Sequence, residues 1–60
     1  MKTETHYAAK VIAMTDAELV KQHVMNTYHA DLRRDTGNDA PYRHRIRLIN
    51  AEIYSRITGE

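Results

Sequence analysis

The chain of 60 residues contains no cysteine, one proline and two glycines. Without cysteine it can form neither a disulfide framework nor a thiolate zinc site. Its apolar runs are only a few residues long, far short of the roughly 20 residues that span a membrane. Residues 1–6 are not followed by the apolar core of a signal peptide, so we expect a cytoplasmic protein without a membrane anchor. The formal net charge of +1 does not by itself indicate an anionic partner.

The small size of the chain limits the stability that it can reach alone. A domain of this length buries only about 60% of the surface that its unfolded chain exposes. Since no disulfide or thiolate metal site can add stability, the remaining way to gain stability is association with another chain. No repeat, low-complexity tract or linker divides the sequence. We therefore expect one small helical domain over residues 1–60 that forms a homodimer.

Helix-start and helix-stop signals divide most of the chain into two helices. Thr15 and Glu18 have the spacing of a capping box, in which each side chain accepts a hydrogen bond from the other residue's amide. Pro41 suits the first turn of a second helix, because its fixed φ is helical and its missing amide proton is not needed there. The two glycines, Gly37 and Gly59, stand where left-handed C-caps are expected. The signals predict helix one within 15–36 and helix two within 40–58.

Helix one carries two semi-apolar faces. One broad stripe consists of Ala17, Val20, Val24, Met25, Tyr28 and Leu32. A second line runs through Leu19, His23, Asn26 or Thr27, and Ala30. We predict that the broad stripe faces the core, with Val20, Val24 and Leu32 buried. Lys21 and Asp31 fall at or inside the edges of that stripe, and Lys21 can extend its ammonium group to water along its aliphatic stem.

Helix two has one clear core face. Its apolar positions recur in steps of four, three, four and four: Tyr42, Ile46, Ile49, Ile53 and Ile57. A strand is excluded because the spacing has no period of two and the segment is too long. We predict that Ile46, Ile49 and Ile53 are buried. The short connection at 36–40 then makes the two helices antiparallel, and the fold class is all-α with a helical hairpin.

The N-terminal segment, residues 1–14, admits two interpretations. Four apolar positions in it have helical spacing, whereas residues 10–14 would equally suit an extended arm. We favour a short helix from about Thr5 to Ala13 that covers the second face of helix one or a partner subunit. The predicted homodimer surface, in a two-fold four-helix arrangement, consists of Val11, Ile12, Met14, Leu19, His23 and Ala30.

The residues that carry chemistry in other proteins form no recognisable site here. The histidines are His6, His23, His29 and His44, and no two of them are three or four residues apart, as a metal site on one helix requires. We interpret them as surface residues, with His23 half-buried, and expect neither a metal nor a cofactor. Ser55 is the only serine and has no base beside it. A two-helix chain also lacks a concave pocket unless assembly creates one, so we do not expect an enzyme.

Helix two is basic, and this is the strongest functional signal in the sequence. Its four arginines against the single Glu52 give it a net charge of +3. Such a helix is typical of phosphate contacts, although these arginines flank both sides of the isoleucine stripe and no helix-turn-helix pattern is present. Tyrosine beside arginine is also typical of protein-binding hot spots, and a solvated face is the alternative. The candidate partner or nucleic-acid surface consists of Arg43, Arg45, Arg47, Asn50, Tyr54 and Arg56.

The capped start at Thr15 to Leu19 and the segment from His44 to Tyr54 resemble the small accessory proteins of lambdoid bacteriophages and prophages. The resemblance spans most of the chain and rests on general character, so no functional residue is carried over. Such proteins are short, cysteine-poor, helical and cytoplasmic, and some bind host proteins. The resemblance implies a non-enzymatic interaction module that modulates a host or regulatory partner. The alternative is a small nucleic-acid-binding protein that uses the arginines of helix two.

Overall fold

A computed structural model describes the backbone of residues 2–59 and the side chains of residues 6–59. It contains three helices, α1 (Lys2–Ala13), α2 (Asp16–Leu32) and α3 (Ala40–Thr58), and one turn of 3-10 helix at Arg34–Thr36. Residues 2–59 include no strand, which confirms the predicted all-α class. Within this range no helix combines the length and the apolar character needed to cross a bilayer.

Most helix ends follow the local signals in the sequence, but α2 ends at Leu32 with Arg33 as its C-cap, so the predicted extension of helix one to residue 36 is wrong. The Glu18 amide donates to Thr15 Oγ1 at 3.1 Å, and the Thr15 amide donates to Glu18 Oε1 at 2.8 Å, which confirms the capping box. Gly37 ends the 3-10 turn with φ of 76° and Gly59 ends α3 with φ of 80°. Glycine adopts this left-handed conformation without a steric penalty. The Asp39 side chain does not cap α3 and instead accepts a hydrogen bond from Arg43.

The N-terminal segment is a helix that folds back onto its own chain. The α1 helix begins at Lys2, three residues earlier than predicted, and the extended-arm alternative is wrong. The chain turns at Met14 and Thr15, where the Met14 amide donates to the carbonyl of Val11 at 3.2 Å. Because of this turn, α1 lies close enough to α3 to pack against it.

Two side-chain contacts define how α2 and α3 lie together. The rings of His29, near the end of α2, and Tyr42, near the start of α3, stack with centroids 5.4 Å apart. At the other end of α3, Arg56 Nη1 lies 2.7 Å from Asp16 Oδ1 at the start of α2. The two helices therefore run in opposite directions.

The core takes one fully buried side chain from each helix. Val11, Leu19 and Ile49 are 2%, 1% and 0% exposed, and form a single cluster. The half-buried side chains packed around it are Tyr7, Met14, Leu48 and Ile53. On α3, burial of Ile49 is therefore confirmed, while Ile46 and Ile53 are only half-buried.

The core-facing side of α2 is opposite to the one that the sequence predicted. The buried residues of α2 are Leu19, Asn26 and Ala30. The prediction that Val20, Val24 and Leu32 are buried is wrong, because each is 59% or 60% exposed. Burial of Asn26 is compatible with stability because its Nδ2 donates both to Tyr7 Oη, at 3.3 Å, and to the carbonyl of Gln22, at 2.7 Å. Both donors of the Asn26 amide nitrogen are therefore satisfied within the chain.

The predicted homodimer surface is also wrong in most of its members. Val11, Leu19 and Ala30 are buried inside the chain, and Met14 and His23 are half-buried. Of the predicted set only Ile12 is an exposed side chain, at 67%. The physical reason is that α3 packs on the side of α2 that carries Leu19, where Ile49 joins Leu19 and Val11 of α1 in the core cluster.

Candidate interaction surface

The side of α2 that points away from the core is apolar. We define the α2 face as Ala17, Val20, Val24, Met25, Tyr28 and Leu32, all of which are exposed. At 100° per residue, its centre lies roughly 180° around the helix axis from the centre of the buried residues of α2. Four of its members follow one another at every fourth position over three turns. The most apolar stripe of the sequence is therefore a surface.

Two charged residues lie within this apolar strip. Lys21 and Asp31 are both exposed and lie on either side of the centre line of the α2 face. Their presence inside the apolar stripe is the sequence signal for its exposure, since an unpaired charge is rarely buried. The sequence analysis assigned this stripe to the core and so missed it as a surface.

A groove between α2 and α3 extends the α2 face. It has a volume of about 220 Å³ and is lined by Asp16, Leu19, Val20, Ile53, Arg56 and Ile57. Ile57 at its rim is 77% exposed. Pockets for small-molecule ligands usually have a volume of about 300–1,000 Å³. This groove is smaller, and its size fits an inserted apolar side chain.

A second groove lies between α1 and α3. Its volume is about 200 Å³, and its lining consists of Ala8, Val11, Ile12, Leu48, Ala51 and Glu52. It is also smaller than usual ligand pockets. The exposed side chain of Ile12 belongs to this groove and lies apart from the α2 face.

Arg56, one of the predicted surface residues, holds the helices together. Its Nε donates to Glu52 Oε2 at 2.8 Å, and its Nη1 to Asp16 Oδ1 at 2.7 Å. Its Nη2 donates to the carbonyls of Met14, at 2.6 Å, and Ile12, at 3.3 Å. The hydrogen bond to Glu52 and then the one to Asp16 raise the pKa of Arg56. Its donors are therefore occupied within the chain.

Arg45 is likewise used within the chain. Its guanidinium carbon lies 5.2 Å from the ring centroid of Tyr7 and 5.8 Å from that of Tyr42. Arg33 approaches the Tyr42 ring at 4.8 Å. Cation–π contacts of this kind stabilise the packing of α1 and α2 on α3. Arg45 is half-buried, which leaves little of it for a ligand.

The other four predicted residues lie together on the outer face of α3, which we define as Arg43, Arg47, Asn50 and Tyr54. All four are exposed and follow each other in steps of four, three and four. Arg43 forms an ion pair with Asp39, and its hydrogen bond lowers the pKa of that carboxyl group. The structure thus divides the predicted set into this outer face and two arginines, Arg45 and Arg56, on the opposite side of α3.

The histidines do not converge. Among the side chains of residues 6–59, no group of three histidine or carboxylate residues has the arrangement of a metal site. His6 is exposed, His23 and His44 are half-buried, and His29 is stacked on Tyr42. Arg33 Nη1 lies 3.2 Å from His29 Nδ1, so the Arg33 guanidinium already lies against that ring nitrogen.

Similarity to known proteins adds nothing to this geometry, since no protein-family model, no curated protein and no solved structure matches the chain.

Proposed function

We propose that this chain is a non-enzymatic protein-interaction module that binds through the α2 face. The observation that carries the proposal is the exposure of Val20, Val24, Tyr28 and Leu32, each at 59% or 60%, in one line along a helix whose other side forms the core. The largest contiguous apolar patch on a small protein is often a functional surface.

The chemistry of the α2 face favours a protein partner. Its six members are all apolar or aromatic, and Lys21 and Asp31 lie among them, one on each side of its centre line. Aromatic residues and methionine are enriched in protein interfaces, and the α2 face contains Tyr28 and Met25. Tyr28 lies near the middle of the strip, and tyrosine is among the residues that contribute most to binding energy in such interfaces.

The alternative, nucleic-acid binding by α3, has weaker support. Arg45 and Arg56 make contacts inside the chain, and Arg43 is paired with Asp39. On the outer face of α3 only Arg47 makes no ion pair with the described residues. Each phosphate contact contributes separately to affinity for nucleic acid, so a single unpaired arginine would give weak binding.

The resemblance to accessory proteins of lambdoid phages leads us to propose a role for this module. Proteins of that kind act in the cytoplasm, and some bind host proteins. We therefore propose a cytoplasmic regulatory module of phage or prophage type. Its interaction surface is the α2 face, and the outer face of α3 is a second, more polar surface.

Capture of bound proteins from source cells by a tagged chain tests the proposed function. Val24→Asp places a charge at the centre of the α2 face, and Tyr54→Asp places the same charge on α3, where Tyr54 is 67% exposed. We expect Val24→Asp to lose the proteins that the wild type captures and Tyr54→Asp to retain them. Far-ultraviolet circular dichroism checks that both variants keep their helices.

The opposite result would support the alternative. If Tyr54→Asp loses its partner, Val24→Asp keeps it, and the partner is nucleic acid, the outer face of α3 is the binding surface. A gel-shift titration then shows binding whose logarithm falls linearly with the logarithm of the salt concentration. Salt-insensitive binding, or none, contradicts the nucleic-acid alternative.

A further inference from the structure

We propose that His29 is a pH-sensitive switch at the connection between α2 and α3. The neutral ring of His29 holds the side chain of Arg33 in place, and the protonated ring releases it. The contacts of this ring with Arg33 and Tyr42 carry the proposal. It does not depend on which partner binds the α2 face, because the isolated protein contains the whole switch.

The contact between Arg33 and His29 requires a neutral histidine ring. Arg33 Nη1 lies 3.2 Å from His29 Nδ1 and 3.3 Å from the carbonyl oxygen of the same residue. A guanidinium group has only donors, so His29 Nδ1 is the acceptor of this hydrogen bond. An imidazole nitrogen accepts only when it carries no proton, so the ring is neutral with its proton on Nε2. Protonation of Nδ1 would leave two N–H groups facing each other.

The groups that α3 places against the ring add positive charge. Tyr42 stacks on the His29 ring with centroids 5.4 Å apart. The same tyrosine ring has the guanidinium carbon of Arg33 at 4.8 Å and that of Arg45 at 5.8 Å. A tyrosine face attracts a cation, but a third cation beside two guanidinium groups is repelled by both. The protonated ring is therefore disfavoured in this position.

No described negative charge offsets these arginines. From α2, Tyr28 meets the His29 ring edge-on at 5.7 Å, and α1 reaches the cluster only through Tyr7, which lies against Arg45. Both tyrosines are uncharged near neutral pH. Among the side chains of residues 6–59, no carboxylate forms an ion pair with His29, Arg33 or Arg45.

Arg33 is also the residue on which the connection is built. Its amide donates to the carbonyls of His29 and Ala30, each at 3.2 Å, where α2 ends. Its carbonyl accepts from the amides of Thr36, at 3.2 Å, and Asn38, at 3.3 Å, and from Thr36 Oγ1 at 3.0 Å. Release of the Arg33 side chain therefore loosens the residue that holds the connection closed.

Proton linkage gives the direction of the effect on stability. In the unfolded chain His29 takes up a proton without meeting Arg33, whereas in the folded protein it must first give up the hydrogen bond. The unfolded state then binds more protons as the pH falls, so the free energy of unfolding decreases. Histidine side chains change charge between about pH 5 and pH 8. The switch therefore works at a higher pH than the titration of Asp39.

Nitrogen chemical shifts of the His29 ring test the first step. At pH 8 we expect a neutral ring with its proton on Nε2, and we expect the Arg33 contact to disappear as the ring is titrated. A ring that carries its proton on Nδ1 at pH 8 cannot accept from Arg33 and overturns the proposal.

Urea unfolding at pH 7.5 and pH 5 tests the effect on stability. His29→Asn places an amide oxygen near the position of Nδ1 and does not titrate. Between the two pH values, we expect the unfolding constant of the wild type to rise about fivefold more than that of His29→Asn. His23→Asn is the matched control, because His23 is also half-buried on α2, and it should behave as the wild type. An equal pH dependence in the wild type and His29→Asn overturns the proposal.

Amide hydrogen exchange tests whether the change is local. Relative to the unfolded rate at each pH, we expect protection of the Thr36 and Asn38 amides to fall about fivefold between pH 7.5 and pH 5. The same amides should keep their protection in His29→Asn. The Glu18 amide, at the other end of α2, is the internal control. An equal loss of protection at Glu18 would show that acid acts on the whole fold and would overturn the local switch.

Discussion

Asn26 and Tyr7 are joined by a hydrogen bond between α2 and α1, with Asn26 Nδ2 lying 3.3 Å from Tyr7 Oη. Asn26 is only 5% exposed, and its amide nitrogen also donates to the carbonyl of Gln22. An unsatisfied amide in this position would be destabilising. The pair therefore makes a polar residue compatible with the interior and fixes the position of α1 along α2.

Tyr7→Phe should lower the free energy of unfolding by about 0.5–1.5 kcal/mol, because the ring remains and only the acceptor of Asn26 is lost. Urea unfolding at low micromolar concentration measures the change. Tyr42→Phe is the control, since the Tyr42 hydroxyl makes no hydrogen bond to the described residues and the ring keeps its stacking on His29. Equal stability of Tyr7→Phe and the wild type would show that the bond contributes nothing.

The helix boundaries were predictable because their signals are local. Thr15 bonds to a residue three positions away, and Gly37 ends the turn in which it stands. Which face of α2 enters the core was not predictable from periodicity, because both faces are partly apolar and the less apolar one, which carries Leu19, packs against α3. Hydrophobicity alone favoured the wrong face, and only the charges of Lys21 and Asp31 on that face indicated solvent.

The candidate site was predictable only in part, for a related reason. The sequence shows that Arg45 and Arg56 are charged, but their partners in the fold are remote along the chain. Arg56 meets Asp16 across 40 positions. Arg43, Arg47, Asn50 and Tyr54 stay on one exposed face because their spacing is that of a single helix, which the sequence does show.

Two isoleucines of α3 should differ in how much they contribute to stability. Ile49 is 0% exposed and Ile57 is 77% exposed, so they differ in burial but not in chemistry. Ile49→Ala should reduce the free energy of unfolding by about 2–5 kcal/mol, a large share of what so small a domain possesses. Ile57→Ala should cost less than about 1 kcal/mol, because surface changes have small effects. Thermal or urea unfolding measures both, and equal losses would contradict the assignment of the core.

The start of α2 provides a prediction on capping. Thr15→Ala removes the acceptor of the Glu18 amide and should destabilise the protein by about 0.5–2 kcal/mol. Thr15→Ser keeps the hydroxyl and should retain most of the stability. Urea unfolding measures both variants, and amide chemical shifts report whether α2 still begins at Asp16. A neutral Thr15→Ala would mean that the cap does not determine where α2 starts.

The pair of Asp39 and Arg43 makes stability depend on pH. The hydrogen bond from Arg43 lowers the pKa of Asp39 in the folded protein below the ordinary aspartate value of 3.8. The stability from this carboxylate is therefore fully present above about pH 3.8 and is lost as the pH falls through the lowered pKa. The difference in the free energy of unfolding between the wild type and Asp39→Asn should be largest at neutral pH. It should decline as the pH falls below about 3.8.

Asp35→Asn is the matched control for this measurement. Asp35 lies in the same connection between α2 and α3, is exposed, and makes no ion pair with the described residues. Its replacement should leave the stability at neutral pH unchanged. A wild-type advantage over Asp39→Asn that stays constant down to pH 2 would contradict the role of the pair.

The four hydrogen bonds of Arg56 have a consequence for the order in which the molecule forms. Three of them join α3 to residues 40 to 44 positions earlier, whereas His29 and Tyr42 meet across a short connection. Closing a longer loop costs more chain entropy, so contacts near the α2–α3 connection should form before those that hold the end of α1. A chain still being synthesised lacks the hydrogen bonds to the carbonyls of Ile12 and Met14 until Arg56, in the last turn of α3, has been added. Until then, the side of α2 that carries Leu19 and Asn26 is exposed as well. The partly synthesised chain therefore exposes both faces of α2, whereas the complete chain exposes only the α2 face.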